Sequence, residues 1–311
     1  MEVDAIVVGL GPGGEEVAGK LAEAGLEVVG IEAELVGGEC PYWGCIPSKM
    51  IVRAADLLAE GRRIPGMAGS SVVTPDWSPV ARRIRDEATD SWDDTVAVQR
   101  FEGKGGRLVR GRARVTRPAS VEVDGETISA RRALVLAAGG QAWVPPTLQS
   151  VPHWTNREAI AAEGLPASLL VVGGGAIGLE IGQAMARLGT QLTIVETAER
   201  LVAPEEPEAS ELMTELLKRE GAAVHTGVSI ELVEPWGDAG ATVHLAGGPG
   251  PGSPRWPDWP ARRTGPTGRA SRPRRYRRRW PFWAGEPSAW SWPRWSTGSG
   301  RRSPSSRRRR H

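Results

Sequence analysis

Residues 37–49 read Gly-Gly-Glu-Cys-Pro-Tyr-Trp-Gly-Cys-Ile-Pro-Ser-Lys and hold the only two cysteines of a 311-residue chain, Cys40 and Cys45. Two thiols separated by four residues can exchange an electron pair, supply half of a zinc site, or lie inert in a core. The four histidines (His153, His225, His244 and His311) stand at no ligand spacing, which argues against a metal. The chain opens Met-Glu-Val-Asp, acidic and running straight into an apolar strand, which reads as no secretory leader. A cysteine pair in that setting points to cytoplasmic redox chemistry rather than a structural staple. A helix is expected over 50–61, leading out of the motif, and a helix start favours the reactive thiolate.

The cysteines follow a nucleotide-binding pattern. An apolar run over 4–9 reads as a buried parallel strand. Gly9-Leu-Gly11-Pro-Gly13-Gly14 follows, then a helical pattern through Val17, Leu21 and Ala24, a stop at Gly25, and a second strand over 26–31 ending at Glu32. Gly9 permits the tight turn, Gly11 lets backbone approach a pyrophosphate, and Gly14 allows close helix packing. The anion sits at the helix start, and Glu32 can accept from ribose hydroxyls.

The same grammar returns at 169–172 as a strand, then Gly173-Gly-Gly175-Ala-Ile-Gly178, a helix to about Leu188, a stop at Gly189, and a strand over 191–195 ending at Glu196. Gly9 to Glu32 and Gly173 to Glu196 are both 23 residues. One such motif is weak; two in register specify two βαβ dinucleotide units. No Arg directly follows Glu196, which argues for NAD over NADP.

Between the units, 78–101 reads as one long polar helix. Residues 107–115, 120–123 and 127–130 read as short antiparallel strands, and 133–137 as a buried strand ending in Ala138-Gly139-Gly140. Trp143-Val-Pro-Pro146 marks a domain boundary. Beyond Glu196, a helix is expected over 207–221 and a hairpin from 228–234 and 241–245. No apolar run reaches the ~18 residues of a membrane span.

The order of fingerprint, C-x4-C with Ile-Pro-Ser-Lys, Ala-x-Gly strand end, and a second fingerprint continuing Gly178-Leu-Glu180 resembles the flavin-dependent pyridine nucleotide-disulfide oxidoreductases, in the style of their dihydrolipoamide dehydrogenase-like and mercuric reductase-like members. The resemblance covers about 3–247. It implies an α/β fold of two Rossmann-like domains: an FAD-binding domain over 1–147 and an NAD-binding domain over 148–248. It implies FAD contacts from Gly9, Gly11, Gly13, Gly14, Glu32, Gly38, Lys49, Ala113 and Gly139, and NAD contacts from Gly173, Gly175, Gly178 and Glu196. Cys45 is then the flavin-side sulfur and Cys40 the outer sulfur that exchanges with a small dithiol or disulfide substrate. Lys49 pairs with Glu180 near the flavin; read without the resemblance, Glu180 is an ordinary helix-surface acid and Lys49 a solvated lysine.

Departures from the family pattern mark the motif. Glu39 stands where a threonine usually helps hold the FAD phosphate, and a carboxylate cannot donate unless protonated. Tyr42 and Trp43 make the spacer bulkier, and Ala138 replaces a threonine.

From 249 to 311 the composition changes. Seventeen Arg, no Lys and two acids give +15, leaving −13 on the rest, behind an overall net charge of +2. Those residues include no Leu, Ile, Val or Met, although seven of the 13 Trp lie there. Such a segment cannot offset its ordering entropy and is expected to be disordered. Salt-sensitive adhesion to polyanions is expected of it, but no specific nucleic-acid role.

In the family, the chain returns to the FAD domain and then builds a dimerisation domain carrying the general base. Neither pattern occurs after Gly248, so the expectation is a homodimer domain missing here, and either impaired turnover or a non-catalytic remnant. The tail reads as an out-of-frame stretch of GC-rich coding sequence. Re-reading the nucleotide sequence from about codon 248 is expected to give a Gly-Asp pair and a His-Pro-Thr-like stretch in another frame; finding neither in both frames rejects this origin.

Overall fold

Close packing at the first glycine turn sets the geometry of the first half. Gly9 has φ +90°, and a Cβ there would lie 2.2 Å from the Ala137 carbonyl oxygen. Gly14 sits under it, where a Cβ would lie 1.9 Å from the Gly9 oxygen. Only glycine lets strand, turn and helix approach this closely.

The computed structural model describes residues 1–235 and 240–247, and the backbone of 282–284. The elements in chain order are β1 (Glu2–Val8), α1 (Pro12–Glu23), β2 (Val28–Glu32), α2 (Glu39–Trp43), α3 (Cys45–Arg63), α4 (Ser78–Arg83), α5 (Thr95–Gly103), β3 (Arg107–Arg110), β4 (Arg114–Arg117), β5 (Ser120–Val123) and β6 (Glu126–Leu136). They continue with β7 (His153–Trp154), α6 (Asn156–Ile160), β8 (Ser168–Val172), α7 (Ala176–Arg187), β9 (Gln191–Val195), α8 (Pro207–Arg219), β10 (Ala223–His225), β11 (Val228–Pro235), β12 (Ala241–Gly247) and β13 (Phe282–Ala284).

The first sheet has the order β3-β2-β1-β6-β5-β4 and the second β10-β9-β8-β13-β7; β11 and β12 form the expected hairpin. Strands β3, β2, β1 and β6 run parallel, as do all neighbours in the second sheet. The expected two α/β units are therefore present. Their cores are not separate. Ile51 and Ala55 of α3, with Trp77, Val80 and Ile84, share one buried cluster with Leu169 and Val171 of β8 and Leu179 and Met185 of α7.

Several expectations need correction. The helical pattern through Val17, Leu21 and Ala24 marks α1 but not its most buried face: Leu21 packs partly against the core, and Val17 is exposed. Gly14, Ala18, Gly19 and Ala22 are buried, because close helix–sheet contact needs small side chains. The single helix over 78–101 is broken by a π-turn at Ile84–Ala88 and a 3₁₀ turn at Asp90–Trp92. The stretch 107–115 splits at Gly111 into β3 and β4, which lie on opposite edges of the first sheet, and β3 pairs parallel with β2. The strands expected at 127–130 and 133–137 are one strand, β6, on which Ala133 and Leu136 are exposed rather than buried. The helix out of the cysteine motif starts earlier than expected, at Cys45. The tail falls almost wholly outside the described residues. Its three described residues, Phe282–Ala284, pair between β8 and β7.

Gly14→Ala is expected to destabilise the protein by about 1–3 kcal/mol in denaturant unfolding, because the added carbon overlaps backbone. Gly13→Ala, in the same turn with nothing within 4 Å of its Cβ position, is expected to lose nothing and to gain up to about 1 kcal/mol. Equal effects of the two changes would contradict the packing described.

Candidate redox site

The two glycine turns are tied in the same way. Gly9 N–H donates to the Ile31 carbonyl and Gly173 N–H to the Val195 carbonyl, each at 2.8 Å. Glu32 accepts from Leu10 N at 2.7 Å and Glu34 N at 2.9 Å. Glu196 accepts from Gly174 N, and from Ala198 N at 2.6 Å. Every partner in the second set lies 164 positions after its counterpart, as Gly173 does after Gly9. Each acidic side chain thus closes the loop opened by its own fingerprint, a duty that sequence spacing alone did not assign to it.

Gly11 and Gly175 cap α1 and α7, so both helices start on glycine backbone with no side-chain cap hydrogen bond. Gly38 faces Gly11. Its φ is +67°, and a Cβ on it would meet the Gly11 Cα at 2.6 Å. Gly13 has open space beside it. This all-glycine wall suits close approach of a pyrophosphate. Gly139, at φ +68°, is exposed just beyond β6, and Ala113 is half-buried between β3 and β4. The structure thus places Gly9, Gly11, Gly13, Gly14, Glu32 and Gly38 around one turn, and Gly173, Gly175, Gly178 and Glu196 around the other.

Cys40 and Cys45 form a disulfide, with Cα atoms 4.7 Å apart. Cys40 lies in the short α2. Cys45 is the first residue of the 19-residue α3, with Gly44 as its cap and Ser48 N–H returning to the Gly44 carbonyl at 2.9 Å. The position favours negative charge on the Cys45 sulfur once the disulfide opens. One turn on, Lys49 forms an ion pair with Glu180 of α7, as the resemblance implied. Farther along α3, Asp56 accepts from Arg187 at 2.5 Å, and Arg187 is held by both oxygens of Glu220. Arg62 donates to the Arg187 carbonyl at 2.8 Å. The cysteine helix is thereby clamped to the second unit at both ends.

Glu39 is tied to α6. Its carboxylate binds Arg157, through Nε at 2.9 Å and also through Nη2, and accepts from Asn156 at 3.2 Å. Arg157 also pairs with Glu34 at 2.7 Å and lies over the Trp43 ring, 5.6 Å from its centroid. Asn156 donates to the Trp43 carbonyl at 2.7 Å, and Trp43 stacks on Trp92 with centroids 5.4 Å apart. Thr155 and Glu158 form a capping box that fixes this turn of α6. Sequence reading missed Asn156, Arg157, Glu34 and Trp92. The capping signature Thr155-Asn-Arg-Glu158 was the one local signal that a helix starts there.

Residues 3–249 match the family described as "Pyridine nucleotide-disulphide oxidoreductase". The chain belongs to this family. It is 34% identical over 236 residues to a dihydrolipoyl dehydrogenase of Thermus scotoductus, covering 72% of this chain and 48% of that one. It is 32% identical over 241 residues to a mercuric reductase of Bacillus cereus, covering 76% and 38%. The chain thus spans about half or less of the length of these relatives. The copper(II) complex of the HOCl-induced flavoprotein disulfide reductase RclA of Escherichia coli superposes with a TM-score of 0.68 at 21% identity, covering 79% of this chain and 55% of that one. At that identity the superposition speaks for the fold. Family membership fits the C-x4-C disulfide and the paired glycine turns. Among the described residues no helix is long and apolar enough to cross a membrane, and no His, Cys, Asp and Glu group could hold a metal ion.

Tyr42, inside the C-x4-C motif, is 6% exposed and packs against Gly37. Burial, reinforced by the Asp94 carboxylate, pushes its hydroxyl above the ordinary tyrosine range. The stability it contributes is fully present below the unfolded tyrosine value of about 10 and is lost as pH rises through the higher folded value. Alkaline titration of phenolate absorbance is expected to show one of the two tyrosines ionising late, a step that Tyr42→Phe removes. Ordinary titration of both tyrosines would contradict the buried placement.

Proposed function

We propose that this chain is an NAD-linked flavoprotein that exchanges electrons with a small dithiol or disulfide through Cys40 and Cys45. The observation that carries this reading is the closed Cys40–Cys45 disulfide at the start of α3, in a chain whose two glycine turns are tied alike by Glu32 and Glu196. FAD fits the first turn, where Gly11, Gly13 and Gly38 leave backbone uncovered, and NAD fits the second, where α7 starts at Gly175. Each Glu oxygen holding one amide keeps lone pairs for a ribose hydroxyl. Bound flavin supplies two-electron chemistry between a nicotinamide and a disulfide.

The chain's own residues supply the rest. In thiol oxidation, one substrate thiolate attacks Cys40, the Cys40–Cys45 bond breaks, and Cys45 leaves as the thiolate favoured by its helix start. The second substrate thiolate then displaces Cys40, so the substrate becomes a disulfide and the protein carries two thiols. Lys49 sets a positive charge one turn beyond Cys45, oriented by Glu180. Disulfide reduction is the reverse sequence. A dihydrolipoamide-like dithiol is the substrate class proposed.

Dithionite titration of the purified, flavin-loaded protein tests the reading. Wild type is expected to consume about two equivalents per flavin, one for flavin and one for the disulfide, and Cys40→Ser about one. NADH is expected to bleach the flavin band. A protein that takes up no flavin, or equal uptake by wild type and Cys40→Ser, overturns the proposal in favour of a non-catalytic member of the family.

A further inference from the structure

Cys40 and Cys45 are held in place by different means. Cys45 opens α3, and the docking of α3 on the second unit's core fixes it. Cys40 is half-buried in α2, a helix of five residues with no side-chain cap, too short to persist by itself. Tyr42 buries one face of α2. Before α2, the Gly37 N–H donates to the Leu10 carbonyl at 2.7 Å and the Gly38 N–H to the Leu35 carbonyl at 3.0 Å. After it, Gly44 separates α2 from α3. The position of Cys40 therefore depends on what secures the two ends of this short helix.

Two side chains of α6 secure them. Asn156 Nδ2 donates to one Glu39 oxygen at 3.2 Å and to the Trp43 carbonyl at 2.7 Å, so a single amide bridges the first and last residues of α2. Arg157 holds the other Glu39 oxygen, through Nε at 2.9 Å and through Nη2. Its Nη1 reaches Glu34 at 2.7 Å, on the far side of the Gly37-Gly38 turn. Asn156 and Arg157 are consecutive residues in the first turn of α6, and the Thr155–Glu158 capping box fixes their backbone. A guanidinium spanning two carboxylates and an amide spanning both ends of a helix set orientation as well as distance.

The consequence is thermodynamic. In exchange with an external dithiol, the protein disulfide becomes two thiols and the dithiol becomes a disulfide. The position of that equilibrium depends on the effective concentration of one protein thiol at the other. With Cys45 fixed by α3, this concentration is set by how far Cys40 moves away once the bond opens. We propose that Asn156 and Arg157 are positioning residues for Cys40: they keep its opened thiol against Cys45, favour reclosure, and thereby lower the reduction potential of the pair. The inference rests on Cys40 and Cys45 being the working redox pair, as proposed above, but it invokes neither flavin nor nicotinamide.

Equilibration of the full chain in buffers of graded reduced-to-oxidised dithiothreitol, with free thiols counted by alkylation and mass, tests the proposal. Asn156→Ala and Arg157→Gln are each expected to lower the equilibrium constant for disulfide formation about 3–10-fold, a tenfold change being about 30 mV. Arg157→Lys, which keeps the charge but loses the fork, is expected to fall between wild type and Arg157→Gln. Arg131→Gln is the matched control. Arg131 likewise bridges two carboxylates, those of Asp4 and Glu27, at a similar side-chain exposure, 40% against 37% for Arg157. It sits at the end of β1 opposite the glycine turn, and its loss is expected to leave the constant unchanged. A wild-type constant in both Asn156→Ala and Arg157→Gln, whatever their loss of thermal stability, overturns the proposal, as does an equal shift in Arg131→Gln. A shift in Arg157→Gln with none in Asn156→Ala assigns the effect to the charge on Glu39 instead of placement, and also overturns it. Asn156→Ala removes no charge and carries the test where Arg157→Gln fails to fold. Flavin uptake is not read, so failure here is distinguishable from failure of the flavoprotein proposal.

Discussion

The docking of α3 onto α7 is the constraint on which the rest depends. The helix that begins at Cys45 buries Ile51 and Ala55 in the core of the second unit, while the loop before it is tied to the first glycine turn through Gly38 and Gly11. Lys49–Glu180 and the Asp56–Arg187–Glu220 cluster fix its two ends. Apolar burial supplies the larger part of such an attachment, since half-exposed ion pairs contribute ~0–1 kcal/mol each; their use is to set register. With α3 fixed, the disulfide at its start cannot move independently of either glycine turn.

A second layer of contacts braces the outer cysteine. Arg157 joins Glu39, Glu34 and the Trp43 ring, so replacing the family's threonine by Glu39 exchanges a neutral hydroxyl for a charge that needs a partner, and α6 provides it. Trp43 and Tyr42 fill the spacer between the cysteines from opposite circumstances. Trp43 meets Trp92 and Arg157 from beyond the motif, whereas Tyr42 is buried against Gly37. The bulky spacer is thus accommodated by compensating residues far downstream, Trp92, Asn156 and Arg157.

The duplicated carboxylate ties explain why the two fingerprints match so closely in spacing. A Glu that must reach back to the amide following the first glycine can do so only if strand, helix and strand have fixed lengths. The 23-residue interval is the sequence trace of that closure. The closure also makes each turn self-supporting.

Much of the chemistry was legible in consecutive residues. Glycine turns, strand ends and the cysteine pair are encoded by short-range sterics and spacing, so Gly9, Gly14, Gly173, Cys40 and Cys45 could be placed before any fold was known. Resemblance supplied Lys49–Glu180. What the sequence could not show depended on distant contact. The division of 107–115 between opposite sheet edges, the small-residue face of α1, the recruitment of Asn156 and Arg157 to the cysteine loop, and the turn presenting Trp92 each follow from which surfaces meet. Local propensity is silent on such meetings, because the energy that decides them comes from partners far along the chain. The sequence by itself determined two glycine turns and a thiol pair; the tertiary structure decided that the helix beginning at Cys45 shares the second unit's core, because that depends on which apolar faces meet.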